Sequence, residues 1–203
     1  MCIDVISSWF VSARIEISDK ESDSPWQKRD YKVFSPSTTL ETVDYSSAPP
    51  IMDIPVNSFI CSHEDGTTVA RGAHKFQGYA HSGGGRQVVR VEVSTDKGNT
   101  WKVVDSLRME KPVRTLKPPQ HILHGMAIRK YYIFNKFYVQ QGAKYYSWAL
   151  WETNISFPNP GEHEVWVKAV DSSYNQQPEG FSGIWNYRGL IANAYHKVKV
   201  NVQ

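Results

Sequence analysis

The sequence predicts an all-β protein, a sandwich of two sheets of immunoglobulin-like type preceded by an irregular N-terminal extension. Short segments alternate apolar and polar residues with the two-residue period of a half-buried strand, as in Val88-Val89-Arg90-Val91-Glu92-Val93-Ser94. Gly-, Pro- and Asn-containing turn signals separate these segments at close intervals, and about seven such strands without a helical-period run read as a sandwich. Aromatic residues are plentiful, with seven Trp and eleven Tyr, and they favour strands over helices. The Cys…Trp…Cys spacing of antibody domains is absent.

Taken in order, residues 1–13 fit no clear element. Arg14-Ile15-Glu16-Ile17-Ser18 alternates as a short strand, and a charged turn runs from Asp19 to Pro25. Trp26 to Phe34 is aromatic and basic by turns, an irregular segment expected to be packed by Trp26 and Phe34. From there to Pro55 the chain is rich in Pro, Ser, Thr and acidic residues around Pro49-Pro50, which is the chemistry of an extended, solvated linker over 36–55. Val56 to Cys61 is strand-like, His63 to Gly66 a turn, and His74 to Ala80 a second strand.

The cluster Ser82-Gly83-Gly84-Gly85 permits positive φ and close backbone approach. It leads into the strand Val88–Ser94 rather than a helix, so the helix N-terminus that lets a glycine-rich loop hold phosphate is missing, and a tight loop or bulge is expected. Asp96 to Asn99 is a hairpin turn and Thr100 to Val104 the returning strand. Residues 105–143 do not read smoothly. They are basic and proline-containing at first, then aromatic from Tyr131 to Tyr138, and they stand as an atypical insertion. Strands resume at Tyr145–Glu152 and Glu162–Asp171, where Val165, Val167 and Ala169 alternate with Glu164, Trp166 and Lys168, and the last runs from Ala194 to Val202. One main domain over 56–203 results.

Composition narrows the partners. At 203 residues there is room for one large domain or one with extensions. A net charge of +3, evenly spread, gives no footprint for nucleic acid. No apolar run reaches bilayer length, so no membrane insertion is expected. The N-terminus, MCIDVISSWFVSARIEIS, has neither a basic leader nor a small-residue cleavage site, so no signal peptide is expected. The two cysteines, Cys2 and Cys61, are too far apart for a metal motif or a disulfide framework. Cys61, after Phe59-Ile60, reads as a small buried hydrophobe. The seven histidines show no HxH or HExxH pairing, and His121 and His124 lie among prolines rather than on a helix face, so no metal site is assigned.

The stretch with most chemistry is Ile184-Trp185-Asn186-Tyr187-Arg188-Gly189-Leu190, which follows Pro178, Gly180 and Gly183. It sets an arginine between an aromatic residue and a glycine. A guanidinium stays charged at any working pH and presents a planar fork of donors suited to a small oxyanion such as sulfite, sulfate or nitrate. A surface arginine capping a turn is the plain alternative on these seven residues alone.

Several motifs in order resemble the C-terminal part of sulfite oxidase. They are Trp26-Gln27-Lys28-Arg29-Asp30-Tyr31-Lys32, Phe34-Ser35-Pro36, Glu41-Thr42-Val43-Asp44, Gly78-Tyr79-Ala80, Ser82-Gly83-Gly84-Gly85-Arg86, Asp171…Tyr174-Asn175…Gln177-Pro178, Ile184–Gly189 and Asn193–Val198. The likeness runs from about Arg14 to the end, apart from residues 105–143. It implies an enzyme that oxidises sulfite to sulfate at molybdenum held by molybdopterin and one protein cysteine, with electrons leaving through haem in animal members. It implies an immunoglobulin-like domain of the E-set type that makes a homodimer and reaches into the active site. On this resemblance residues 1–35 are a remnant of the end of the molybdopterin-binding domain. Tyr31 matches the tyrosine near the molybdenum oxo group, and Arg188 the arginine of the sulfite pocket. A phenol can hydrogen-bond or relay a proton, and a fixed guanidinium offsets a dianion's charge.

Nitrate reductases share the glycine loop and the Trp-Asn motif but typically carry methionine where Arg188 stands, so the arginine points to sulfite. Departures from the family pattern are equally specific. The molybdenum-ligating cysteine belongs to the upstream domain, and no cytochrome b5-like haem motif is present. Trp9-Phe10-Val11 replaces a Val-Lys-Trp segment whose lysine helps hold the pterin. The expectation is therefore that the chain binds no cofactor and turns over no sulfite alone. A stand-alone interaction module is the alternative from another class. The pattern is lost at Ser12/Ala13 and again near Ser106 and Lys144, as a truncated or imperfect gene model would produce, which sequencing the transcript across these junctions checks. The compartment is open: animal relatives imply the mitochondrial intermembrane space and plant ones peroxisomes.

Overall fold

The computed structural model describes residues 18–109 and 145–203. The expected strand at 14–18, the histidines at 121 and 124 and the aromatic run from 131 to 138 lie outside those residues, apart from Ser18. The chain divides into two compact units, one made of residues 18–54 with Gly180–Ala192, the other of Pro55–Glu179 with Asn193–Gln203.

The larger unit is all β, as predicted. Its strands are β1 (Asn57–Ile60), β2 (Thr67–Val69), β3 (Gly72–His81), β4 (Val88–Ser94), β5 (Lys102–Val103), β6 (Ser106–Met109), β7 (Ala149–Phe157), β8 (Gly161–Asp171) and β9 (His196–Val202). They form a four-stranded sheet in the order β1-β3-β7-β6 and a five-stranded sheet in the order β2-β9-β8-β4-β5. All pairings are antiparallel except β2 with β9, which is parallel. Period-two alternation sends one side of each strand inward: Ala149, Trp151, Ile155 and Phe157 from β7, Val165, Val167 and Ala169 from β8, and Val198, Val200 and Val202 from β9 are all buried in one cluster. Burial of each such branched or aromatic side chain contributes about 1.5–3 kcal/mol.

Three expectations are corrected here. Cys61 is exposed. In β1 the inward positions are Ser58 and Ile60, and the same period puts position 61 on the outside. The insertion drawn at 105–143 begins with a real strand, since Ser106–Met109 pairs with β7 through Leu107↔Trp151 and Arg108↔Leu150. Trp26 does not pack its segment: it is largely exposed, whereas Phe34 is buried as expected. The strand β2 was too short at three residues to register as a pattern.

The glycine cluster is the tight loop expected. Gly84 and Gly85 have φ of 65° and 72°, where a side chain would be strained. Arg86 donates from Nε to Oδ2 of the fully buried Asp171 at 3.0 Å, and Ser82 Oγ donates to the same oxygen at 2.8 Å. Burial pushes the Asp171 carboxyl up, but bonds from Asn175, Ser82 and the backbone N–H groups of Ser173 and Asn175 outweigh it and hold it below the usual range.

Gln177 is the polar hub of the larger unit. Its Oε1 accepts from Ser58 Oγ at 2.6 Å and from the Ala169 N–H at 2.9 Å, while Nε2 donates to the carbonyls of Asn193 and Ala194 at 3.1 and 3.2 Å. Gln177→Ala would orphan all of these groups in a dry interior. A loss of about 2 kcal/mol or more in urea-denaturation stability is expected, and a loss under ~0.5 kcal/mol would contradict this role.

Two histidines give the unit an acid limit. His63 stacks on Phe76 with centroids 4.1 Å apart, and His196 accepts the Ile60 N–H at Nδ1 at 3.2 Å. Burial pushes both below the ordinary value of 6.5, helped at His63 by the nearby His74 and opposed at His196 by Asp65. The unfolded chain therefore takes up protons at 6.5 that the folded chain refuses, so their contribution is complete above that pH and is lost as pH falls below it. Asp96 and Asp105, held at about 2 chiefly by bonds from Thr100 and from the Asn154 N–H, lose theirs only below 3.8. The urea midpoint is thus expected to fall between about pH 7.5 and about pH 5.5, and less steeply in His63→Phe.

Candidate functional site

Tyr31 and Arg188 both belong to the smaller unit. Trp26–Asp30 forms one wide π-helical turn, closed where the Tyr31 N–H donates to the Trp26 carbonyl at 3.0 Å. Pro25 at its start suits a helix end, having no N–H to leave unpaired. The turn hands the chain to a short bridge: Lys32 pairs with Pro50, and the Ile51 N–H donates to the Tyr31 carbonyl at 2.8 Å. Backbone bonds on both sides thus fix Tyr31 while its side chain stays 52% exposed. Its ring tilts against Trp26 with centroids 6.5 Å apart.

Beneath lies a small aromatic core. Phe34 packs edge-on to Tyr45 and tilted against Tyr187, each at 5.7 Å, and the Tyr187 hydroxyl donates to that of Tyr45 at 3.2 Å. Desolvation, then the Tyr45 hydroxyl, push the Tyr187 phenol up, while Arg188 pulls it down. Lys32 is buried, and its Nζ donates to the Tyr45 carbonyl at 2.6 Å. The Arg29 guanidinium sits 5.1 Å over the Tyr45 ring.

Arg188 rides on a turn built by Asn186. The Asn186 Nδ2 donates to the Leu190 carbonyl at 3.0 Å, the Leu190 N–H returns to Asn186 Oδ1 at 3.3 Å, and the Gly189 N–H reaches the Asn186 carbonyl at 2.9 Å. Gly189 has φ 65°, which explains a glycine directly after the arginine. Ile191 also has positive φ, 47°, a strained setting for a β-branched residue that costs about 1–3 kcal/mol.

From this turn Arg188 Nη2 donates to the Asp30 carbonyl at 2.9 Å and approaches Asp30 Oδ1 at 3.4 Å. The structure therefore brings the arginine to the residue next to Tyr31. Nε and Nη1 make no hydrogen bond among the described residues. With side chains 30% and 36% exposed, the Arg188–Asp30 pair adds little stability. Its consequence is orientation: one edge of the fork is tied down and the other can meet an anion. Asp30 went unnoticed in the sequence because nothing in the spacing pairs residues 158 positions apart; its place beside Tyr31 in the Arg29-Asp30-Tyr31-Lys32 motif was the available signal.

The described residues contain no group of three or more His, Cys, Asp or Glu side chains placed to hold a metal ion. Cys61, their one cysteine, lies in the other unit. This donor set, among the described residues, does not fit a molybdenum centre.

An all-β module, together with an aromatic-based unit that tethers a partly exposed guanidinium to the residue before Tyr31, is the class these features define. The chain belongs to the Mo-co oxidoreductase dimerisation domain family, whose pattern it matches over residues 48–203. It is 41% identical over 197 residues to a protein named mitochondrial sulfite oxidase of Drosophila melanogaster, covering 93% of this chain but 29% of that protein. A protein named nitrate reductase [NADH] 1 of Phaseolus vulgaris is 31% identical over 201 residues, with 93% of this chain and 20% of that protein covered. Among solved structures, the sulfane dehydrogenase SoxCD from Paracoccus pantotrophus is similar with a TM-score of 0.56 at 18% identity, covering 91% of this chain and 40% of that one, and supports the fold alone. The chain thus spans less than a third of the two curated relatives.

Proposed function

We propose that this chain is the C-terminal dimerisation portion of a sulfite oxidase-like molybdenum oxidoreductase, which converts sulfite to sulfate. Arg188 binds the oxyanion and Tyr31 offers its phenol beside it. The observation that carries this reading is the Arg188–Asp30 tether, which sets a partly exposed guanidinium next to the Tyr31 position. Arg188 compensates the charge of a dianionic substrate or product, and a guanidinium held in place does so without reorganising as charge develops. Tyr31 donates or accepts a hydrogen bond at a substrate oxygen.

The molybdopterin centre belongs, on this reading, to a preceding part of the polypeptide, with haem as an electron outlet in animal-type members. Residues 1–35 are, on the same reading, the end of that preceding domain and 36–55 the linker. The match to the dimerisation family begins at residue 48, whereas the likeness to sulfite oxidase covers 93% of the chain, which supports the division. The chain works as a homodimer, and the fruit-fly relative's name supports a mitochondrial setting, in the intermembrane space. A nitrate reductase portion is the second reading, favoured by the bean relative. Arg188 stands against it, because the resemblance gives nitrate reductases methionine there.

Sulfite-dependent ferricyanide reduction tests the assignment. The purified chain alone is expected to show none, and a polypeptide joining residues 18–203 to the upstream portion of a sulfite oxidase is expected to turn over. Turnover by the chain alone, or a folded joined polypeptide active on nitrate but not sulfite, would overturn it.

A further inference from the structure

We infer that Asn186 is a positioning residue for the proposed reaction: its buried amide sets the direction from which Arg188 reaches the oxyanion. The inference rests on the reading of Arg188 above and adds the group that holds the base of that side chain. Asn186 is buried, and its Nδ2 donates to the carbonyls of Ile184 and Leu190 at 3.4 and 3.0 Å while its Oδ1 accepts the Leu190 N–H at 3.3 Å. Among the described residues every one of these bonds ends on the main chain of the loop that carries Asn186 itself. Gln177 is the contrast, since its amide joins Ser58, Ala169, Asn193 and Ala194 and so holds distant segments together. Burying an amide costs free energy unless its bonds are made, and what the bonds of Asn186 secure is the shape of one loop.

Arg188 is the middle residue between the two ends that the amide ties, Asn186 and Leu190. On one side of it Gly189 takes a φ of 65° and donates its N–H to the Asn186 carbonyl at 2.9 Å. On the other, the Tyr187 ring rests on Phe34 with centroids 5.7 Å apart and its hydroxyl donates to that of Tyr45. Both chain neighbours of Arg188 are therefore fixed, and the direction in which its side chain leaves the backbone follows. The far end is held where Nη2 donates to the Asp30 carbonyl at 2.9 Å. A long side chain pinned at base and tip has lost most of its rotamer freedom before an anion arrives. Free the base and the outer edge of the fork can swing, and a misplacement of about 1 Å can cost about 10²-fold in rate.

A double-mutant cycle in the joined polypeptide tests this, with sulfite kinetics as the readout. Asn186→Ala is expected to lower kcat/KM for sulfite about tenfold or more in the parent, but by less than about twofold once Arg188→Met is present, because Asn186 acts only through the arginine. Asn186→Asp keeps the size and the acceptor, yet sets a carboxylate against the Leu190 carbonyl. Protonated, the new carboxyl can donate there as the amide does, and burial raises the pH at which it protonates. Its kcat/KM, as a ratio to the parent at each pH, is thus expected to rise several-fold from about pH 8.5 to about pH 5.5. This variant also answers the case in which Asn186→Ala disturbs folding, with far-UV circular dichroism and the urea midpoint as checks. Equal losses from Asn186→Ala with and without Arg188, no loss at all, or a ratio for Asn186→Asp that is flat with pH would overturn the inference while the reading of Arg188 stands. An Arg188→Met variant as active as the parent overturns that reading and the inference together.

Discussion

Replacing Arg188 by methionine, in a polypeptide joining residues 18–203 to the upstream portion of a sulfite oxidase, is expected to lower kcat/KM for sulfite by about 10²–10³-fold. That is the usual consequence of deleting one pre-oriented donor aimed at developing charge, about 2.7–4 kcal/mol. The tether gives the effect its size. Nη2 is held by the Asp30 carbonyl at 2.9 Å, so the remaining edge of the guanidinium is already oriented before substrate arrives. Arg188→Lys is expected to recover only part of the loss, because an ammonium keeps the charge but not the planar fork that can bond Asp30 and an anion together. Steady-state sulfite kinetics with ferricyanide check all three forms. A methionine variant within about twofold of the parent would remove Arg188 from the site.

The largest expected effect on folding comes from one methyl group. Gly78 lies on β3, directly opposite Trp151 on β7. A Cβ built there would fall on the carbonyl oxygen of Phe59 and within 2.6 Å of the Trp151 ring. Neither neighbour can give way. The carbonyl belongs to β1, paired with β3 along its length, and the buried indole donates from Nε1 to the Tyr79 carbonyl at 3.2 Å. Gly78→Ala is therefore expected to cost about 3 kcal/mol by overpacking, read as a lower urea midpoint with an unchanged m-value. Gly66→Ala is a useful contrast: its Cβ would meet nothing within 4 Å, and only its φ of 81° stands against it. If Gly78→Ala proves no more destabilising than Gly66→Ala, the packing described for β1, β3 and β7 is wrong.

Where the sheet face was buried and regular, the sequence could be read directly. Val88–Ser94 was predicted with its observed bounds, and the inward positions of β8 were those its alternation named, because a two-residue period is enforced along the whole strand. Trp166 shows where alternation misleads. It points outward like Glu164 and Lys168, yet it is nearly buried because Lys197 covers its face and Glu164 accepts its ring N–H at 2.9 Å. Short pieces escaped for the same physical reason in reverse: three residues of β2 or four of β6 are too few to show a period, and their identity as strands comes from the partner that pairs with them. Cys61 is exposed because the two-residue period of β1 turns Ser58 and Ile60 inward, which a thiol's apolar character does not reveal.

The candidate site was legible only as separate motifs. Arg188 stands out from its local sequence and Tyr31 only through the resemblance to sulfite oxidase, but the atom that joins their neighbourhoods is the main-chain oxygen of Asp30. A backbone carbonyl leaves no trace in side-chain chemistry. Asn186 is a similar case. Its amide closes the turn that carries the arginine from both ends, and in sequence it reads only as part of a tryptophan–asparagine pair.

The decisive measurement is a crystal structure of the joined polypeptide grown with sulfate, the product oxyanion. The expected result is one sulfate within hydrogen-bond distance of Arg188 Nη1 or Nε and of the Tyr31 hydroxyl, with Nη2 still on the Asp30 carbonyl. A sulfate bound at the metal-bearing part while both outer nitrogens of Arg188 face solvent or another protein group would contradict the assignment.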